Sequence, residues 1–155
     1  MGPKGTFSDE ASQKVRGSNG VVSHTSTFVE AMLKVKGDLS SVAVVPVENS
    51  VAGTVAQVQD SLVRNDLVII AEINLLIEYA LLANTELNMV EFCYAHPQAL
   101  EQSSGFVTKN MTSAQIKLTR SNVDSGIQFL NSLNSGNSNV AGIVPLSFSV
   151  NQKQW

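Results

Sequence analysis

The apolar residues of the chain follow two spacings, one typical of strands and one typical of helices. Short runs of apolar, often β-branched residues predict strands at 41–46, 90–95, 114–119 and 140–145. A longer run, 67–83, predicts one or two further buried strands. Apolar residues spaced by three and four, with their flanking stop signals, predict helices at 28–35, 51–62, 96–107 and 121–133. Strand-like and helix-like segments therefore alternate along the chain.

Residues with capping side chains mark where several helices begin. Ser8 is placed to cap a first helix that extends to Val15. Thr27 with Glu30, and Ser121 with Asp124, have the spacing of a capping box, in which the first side chain accepts from the backbone N–H three residues on. After Ser121, the spacing of Val123, Ile127, Leu130 and Leu133 continues the last predicted helix.

The alternation of strands and helices indicates an α/β fold with mainly parallel sheets. In such sheets, ligands bind at the carboxyl ends of the strands. Three polar turns stand at such ends: VPVENS at 45–50, AHPQ at 95–98 and TRSN at 119–122. We therefore expect the functional residues to lie in these turns.

Composition and charge narrow the class of partner. Of the 155 residues, 43% are hydrophobic and 15% are charged, and the net charge is -3. A nucleic acid or an anionic membrane needs a cationic protein face, so neither is expected as a partner. The single cysteine, Cys93, excludes an internal disulfide and predicts a reducing compartment, the cytoplasm. Cys93 itself is expected to be a buried small hydrophobe rather than a nucleophile.

The Glu-Asn-Ser turn is the first candidate for chemistry. Asn49 and Ser50 follow an apolar run and are expected to stand where a helix begins, where free N–H groups and neutral side chains favour an anion such as a carboxylate. Ordinary helix capping by the same side chains is the alternative. Gly53 is expected to permit close backbone approach, and Glu48 is a solvated carboxylate or an acid–base group.

The remaining candidates are few. His96, at the end of a strand, is either a general acid or a structural hydrogen-bonding residue. No spacing of cysteines and histidines suits a metal, and no glycine-rich motif suits a nucleotide phosphate. We therefore expect neither a metal nor an organic cofactor.

Three segments, in order along the chain, resemble motifs of the prephenate dehydratase family. The first is GPKGTFSDEA at 2–11, the second VPVENSVAGTV at 45–55, and the third HPQALEQS at 96–103. SNVDSG at 121–126 and AGIVP at 141–145 resemble two further segments of that family. The resemblance covers essentially the whole chain.

The resemblance implies a two-lobed fold like that of type II periplasmic binding proteins, with the active site in a cleft between the lobes. Lobe 1 would span 1–72 and lobe 2 would span 73–146, with 147–155 starting a return to lobe 1. The implied reaction converts prephenate to phenylpyruvate in phenylalanine biosynthesis, without a cofactor. Arogenate is the substrate of some relatives, and related enzymes form homodimers or tetramers.

Matching positions assign roles to individual residues. By resemblance, Asn49 and Gln102 are the catalytic residues. The residues expected to bind the substrate are Thr6, Ser8, Ser50, Gly53, Ser121 and Asn122.

The same resemblance leads us to expect a chain shortened at both ends. Family members have a core strand before the segment that corresponds to 2–11, and an Asn-x-Thr-Arg-Phe segment with a catalytic threonine beyond the part that corresponds to 147–155. The alternative function is therefore a catalytically inactive homologue or fragment that binds a small anion.

Overall fold

The computed structural model describes residues 4–51 and 53–151, and the side chains of residues 4–51 and 53–149. The motif residues Gly2 and Pro3, and the predicted returning segment from 152 onwards, lie outside the described residues. The chain forms two compact units, Met1–Leu76 (unit 1) and Ile77–Trp155 (unit 2). The boundary thus falls after residue 76, where the resemblance places it after residue 72.

The elements of the described residues follow the predicted α/β alternation. Those of unit 1 are α1 (Phe7–Val15), α2 (Phe28–Val35), β1 (Glu48–Asn49), β2 (Gly53–Thr54) and α3 (Ala56–Arg64). Those of unit 2 are β3 (Tyr79–Ala83), a 3₁₀ turn (Leu87–Met89), β4 (Phe92–Ala95), α4 (Pro97–Asn110), β5 (Gln115–Leu118), α5 (Asn122–Asn134), β6 (Val140–Pro145) and α6 (Leu146–Asn151).

Helix α1 begins two residues earlier than predicted, and Ser8 is not its cap. Thr6 is the N-cap residue, and its hydroxyl accepts from the backbone N–H of Asp9 at 3.4 Å. Ser8 lies inside the first turn instead. The predicted caps Thr27 and Ser121 are confirmed, since each accepts from the N–H three residues on at 3.0 Å.

Unit 2 is built on a four-stranded sheet in the order β3-β6-β4-β5. Strand β4 pairs in parallel with β5 and with β6, and β3 pairs antiparallel with β6, so the sheet is mixed with a mainly parallel pairing. The chief hydrophobic core of this unit consists of Val90, Cys93, Ala95, Ala99, Val107, Met111, Ala141 and Ile143.

Helix α5 forms as predicted and buries a face made largely of small residues. Val123 is buried, but Ile127 is exposed, and the rest of the buried face consists of Ser125, Gly126, Phe129 and Ser132. The reason is a close approach to β6, where a Cβ on Gly142 would lie 3.1 Å from the Cβ of Phe129. Small residues are needed on a helix that approaches a strand so closely.

Two predicted strands are not formed in unit 1. The run 41–46 and the part of the long run at 67–76 have no strand partner among the described residues, and only Tyr79–Ala83 of that run forms a strand. Apolar composition alone does not make a strand, because a strand needs a neighbour for its backbone hydrogen bonds. The run 67–76 also lies outside any helix, and no described helix is long and apolar enough to cross a membrane.

Candidate functional site

The Glu-Asn-Ser turn of unit 1 is a hairpin. Asn49 on β1 pairs with Gly53 on β2, and Val55 donates its N–H to the carbonyl of Val47 at 2.9 Å. Gly53 has a φ of +75°, a conformation that a residue with a Cβ adopts only with strain. The hairpin brings together Asn49, Gly53 and the exposed Ser50.

This geometry corrects the prediction that Asn49 and Ser50 stand at a helix start. Helix α3 begins only at Ala56, and no side chain caps it. The carboxamide oxygen of Asn49 accepts the N–H of Val51 at 2.8 Å, a turn formed by the side chain itself. The oxygen of Asn49 is thus fixed by the turn, and both interpretations that relied on a helix N-terminus are wrong.

The turn before α1 carries the next two candidates, Thr6 and Ser8. Gly5 adopts a φ of +87°, which lets the chain turn sharply into the helix. Ser8 lies half-buried in the first turn, two residues after Thr6. The structure therefore places both predicted residues on one short segment.

The side chain of Asp9 is hydrogen-bonded to the backbone of this segment. Its Oδ2 accepts the N–H of Gly5 at 2.8 Å, while Oδ1 lies 3.0 Å from Nε2 of His24 and accepts from Nε2 of Gln13 at 3.3 Å. Burial raises the pKa of Asp9, but the hydrogen bonds from Gly5, His24 and Gln13 outweigh it and bring the pKa below its usual value. Asp9 is therefore an ionised, buried carboxylate at neutral pH.

In unit 2, the candidates Ser121 and Asn122 follow the carboxyl ends of two parallel strands. Strands β4 and β5 are parallel and end together, with Ala95 paired to Leu118 and the N–H of Thr119 donating to the carbonyl of Ala95 at 3.0 Å. Helices α4 and α5 both begin just beyond these ends. Tyr79, at the start of β3, pairs with Pro145 at the end of β6 and so lies at the same edge.

The three candidate side chains of unit 2 differ in the hydrogen bonds that they make. Gln102, in α4, is half-buried, and its carboxamide makes no hydrogen bond with the described side chains or backbone of residues 4–51 and 53–149. The hydroxyl of Ser121 accepts the N–H of Asp124 and is used as a cap. The Oδ1 of Asn122 is buried and receives no hydrogen bond from the described residues. Its carboxamide nevertheless has a partner, because burial raises the pKa of the Tyr79 hydroxyl and a hydrogen bond with the side chain of Asn122 partly offsets that rise.

A pair of buried hydroxyls shapes the turn that presents Ser121. The Oγ1 of Thr119 lies 2.7 Å from the Oγ of Ser125, and it also donates to the carbonyl of Ser121 at 3.0 Å. The sequence pattern does not predict this pair. A hydroxyl residue placed four after a capping serine, as Ser125 is after Ser121, is the signal that could have indicated it.

The structure favours the structural role for His96. Its Nδ1 accepts the N–H of Gln98 at 3.4 Å and caps α4, so the neutral ring carries its proton on Nε2. Burial lowers the pKa of His96 and keeps it neutral at pH 7. Cys93 is fully buried, and burial raises the pKa of its thiol to about 11, which makes it the predicted small hydrophobe.

Known proteins are similar to this chain in sequence and in fold. The model of the family described as prephenate dehydratase matches residues 1–148. A bifunctional chorismate mutase/prephenate dehydratase of Buchnera aphidicola subsp. Acyrthosiphon pisum is 38% identical over 129 residues, which are 80% of this chain and 33% of the relative.

Two solved structures show the same fold. The prephenate dehydratase of Staphylococcus aureus subsp. aureus Mu50 matches with a TM-score of 0.77 at 31% identity, over 98% of this chain and 56% of that one. The prephenate dehydratase of Arthrobacter aurescens, solved in complex with L-Phe, matches with a TM-score of 0.65 at 22% identity, over 98% of this chain and 50% of that one.

The chain thus spans about a third of its curated relative and about half of the solved structures. The family match includes the Asn49 hairpin, the turn before α1 and the sheet edge of unit 2. On this evidence, the chain belongs to the prephenate dehydratase family.

Proposed function

We propose that this chain is a prephenate dehydratase, which converts prephenate to phenylpyruvate in L-phenylalanine biosynthesis. The observation that carries the proposal is the family match, which includes both the hairpin of Asn49 and the helix of Gln102. The name of the Buchnera relative, 38% identical, supports the same activity.

The reaction suits a protein that offers neutral hydrogen-bond donors. Prephenate loses its ring carboxylate as CO2 while the ring hydroxyl departs, and with one added proton the hydroxyl leaves as water. Because the product ring is aromatic, no electron sink is needed, and the protein must only bind the two carboxylates and assist the leaving hydroxyl. Carboxamides and hydroxyls can do this without a metal or an organic cofactor.

Each unit offers its own set of such groups. In unit 1, we assign the carboxamide of Asn49 to the reaction, with substrate contacts from Thr6, Ser8, Ser50 and the backbone at Gly53. Asn49 is suited to this role because its oxygen is fixed by the N–H of Val51, which orients the carboxamide.

In unit 2, we assign catalysis to Gln102 and substrate contacts to Ser121 and Asn122. Two observations support this assignment: the carboxamide of Gln102 makes no hydrogen bond within the described part of the chain, and the buried Oδ1 of Asn122 receives none there.

Substitution of Gln102 tests the proposal. If the carboxamide of Gln102 contacts the reacting groups, Gln102→Ala lowers kcat about 100-fold, as loss of one preorganised donor does. Turnover is measured as phenylpyruvate formed from prephenate above the spontaneous rate, and thermal unfolding is measured alongside. Gln115→Ala is the matched control, because Gln115 is exposed at the opposite end of β5 from the site edge.

Four outcomes separate the possible functions and roles. Equal loss of thermal stability and turnover in Gln102→Ala would assign the side chain a structural role. Absence of phenylpyruvate from the unmodified chain would contradict the enzyme, and calorimetric binding of prephenate without turnover would favour the inactive, anion-binding homologue. Faster turnover of arogenate than of prephenate would make arogenate the substrate.

We further propose that the protein acts in the cytoplasm as a homodimer or tetramer. A single cysteine that is fully buried, with a thiol pKa raised to about 11, supports a compartment where no disulfide is required. Sedimentation equilibrium measures the oligomeric state, and a monomer at micromolar concentration would contradict this part of the proposal.

A further inference from the structure

Three helices begin with the same reciprocal arrangement. At the start of α1, α2 and α5, a hydroxyl residue accepts the N–H of an acidic residue three positions on, namely Asp9, Glu30 and Asp124. Each acidic side chain in turn accepts the N–H of the residue before the cap, at 2.8 to 3.2 Å. The second and third boxes are ordinary local caps, because their further partners are side chains four residues on.

The box of Asp9 differs from the other two in burial and in reach. Asp9 is 6% exposed. Its Oδ1 lies 3.0 Å from the Nε2 of His24, a residue 15 positions further along the chain. A helix cap needs neither feature, since local hydrogen bonds satisfy the first turn. The contact instead ties the turn before α1 to the loop that precedes α2.

The protonation of this contact follows from the chemistry of the two groups. An ionised carboxylate only accepts hydrogen bonds, so the Nε2 of His24 must carry the hydrogen that it shares with Oδ1. Both oxygens of Asp9 are therefore engaged at once, Oδ2 by Gly5 and Oδ1 by His24 and Gln13. A carboxylate held at both oxygens has one orientation, and so has the N–H of Gly5 that it holds.

We propose that Asp9 is a positioning residue, which together with His24 clamps the Gly5–Ser8 turn in the conformation that binds the substrate. This inference rests on the proposed function, because Thr6 and Ser8 are assigned to the substrate there. Asp9 and His24 do not touch the reacting atoms in this assignment. They act through the backbone at Gly5, whose φ of +87° leaves the turn free to change without the clamp.

Four variants test the clamp. Asp9→Asn removes the charge with little change in volume, and His24→Ala removes the donor. His24→Gln restores a donor near the position of Nε2, and Glu30→Gln is the matched control, since it neutralises the same kind of capping carboxylate where no assigned site residue lies. The readouts are exchange of the Gly5 amide hydrogen, followed by NMR, and KM and kcat for prephenate.

The clamp predicts a specific pattern. Asp9→Asn and His24→Ala should speed Gly5 exchange and raise KM about tenfold, with kcat changed less than about twofold, because the turn binds substrate but does not react. His24→Gln should recover most of the KM. Glu30→Gln should leave Gly5 exchange and KM as they are in the unmodified chain.

Different results overturn different claims. Faster Gly5 exchange with an unchanged KM in Asp9→Asn would overturn the positioning role and leave an ordinary helix cap. Unchanged Gly5 exchange in both Asp9→Asn and His24→Ala would overturn the clamp altogether. If the unmodified chain forms no phenylpyruvate, the proposed function fails by itself, and faster Gly5 exchange in the two variants would still support the clamp.

Discussion

The two units have apolar, β-branched runs of similar composition, but the run in unit 2 is buried and much of the run in unit 1 is exposed. In unit 2, every residue of β6 (140–145) is buried, between β3 on one side and β4 on the other. In unit 1, the run 67–76 leaves Val68, Ile69, Ile70, Ile73 and Leu76 exposed. The difference lies in the neighbours: β6 has a strand on each side, and the run in unit 1 has no strand partner among the described residues.

This comparison shows that apolar content alone does not predict burial. A strand is buried only when other strands take its backbone hydrogen bonds and other elements cover its faces. The contribution of an isoleucine side chain to the free energy of unfolding therefore depends on which unit contains it. Substitutions that remove the same atoms in the two units measure that dependence directly.

The largest effect is expected from isoleucine truncation. Ile143 on β6 is 3% exposed and Ile70 in unit 1 is 72% exposed. Ile143→Ala should lower the free energy of unfolding by about 3 kcal/mol, because it removes buried methyl groups and leaves a cavity. Ile70→Ala should change it by less than about 0.5 kcal/mol. Urea unfolding followed by circular dichroism measures both, and equal losses would show that 67–76 is buried in solution.

A smaller effect, of opposite sign at two sites, is expected from glycine substitution within unit 2. Gly142→Ala should destabilise by about 2 kcal/mol, because the new Cβ would lie 3.1 Å from the Cβ of Phe129 and 3.2 Å from the carbonyl of Ser125. Gly105 in α4 has open space around it, so Gly105→Ala should stabilise by about 0.5 to 1 kcal/mol through helix propensity. Thermal unfolding checks both, and a stable Gly142→Ala would refute the close packing of α5 on β6.

The smallest effect is expected in the pH dependence of stability, which differs between a group of unit 1 and a group of unit 2. Burial lowers the pKa of His96 in unit 2 from its ordinary 6.5, so the unfolded chain binds the proton more readily, and stability falls as the pH drops below 6.5. In unit 1, the lowered pKa of Asp9 contributes stability, which is lost only as the pH drops below 3.8, the ordinary pKa of the group.

Thermal unfolding between pH 8 and pH 3 measures these two windows. His96→Asn keeps a capping side chain that does not titrate, and should flatten the decline that begins near 6.5. Asp9→Asn should flatten only the decline below 3.8. An acid response that neither variant changes would place the titrating groups elsewhere in the chain.

The success of the sequence analysis followed the range of the interactions involved. The caps Thr27 and Ser121 were predictable, since a cap is formed within four residues. The prediction failed at Ser8, because the hydroxyl two residues earlier, on Thr6, was equally able to cap and was preceded by the turn at Gly5. At Asn49 the apolar spacing after the turn suggested a helix, whereas the pairing of Asn49 with Gly53 formed a hairpin first.

Local sequence patterns were enough to predict the alternation of helices and strands, the helix caps at Thr27 and Ser121, and the family, because each motif lies in a short segment. The folded structure was needed to show which apolar runs become buried strands, which face of α5 is buried, and that Asp9 contacts His24. The physical reason is that caps and turns use neighbouring residues, while sheet pairing, close packing and the Asp9–His24 contact join residues far apart in the chain, whose encounter local patterns do not encode.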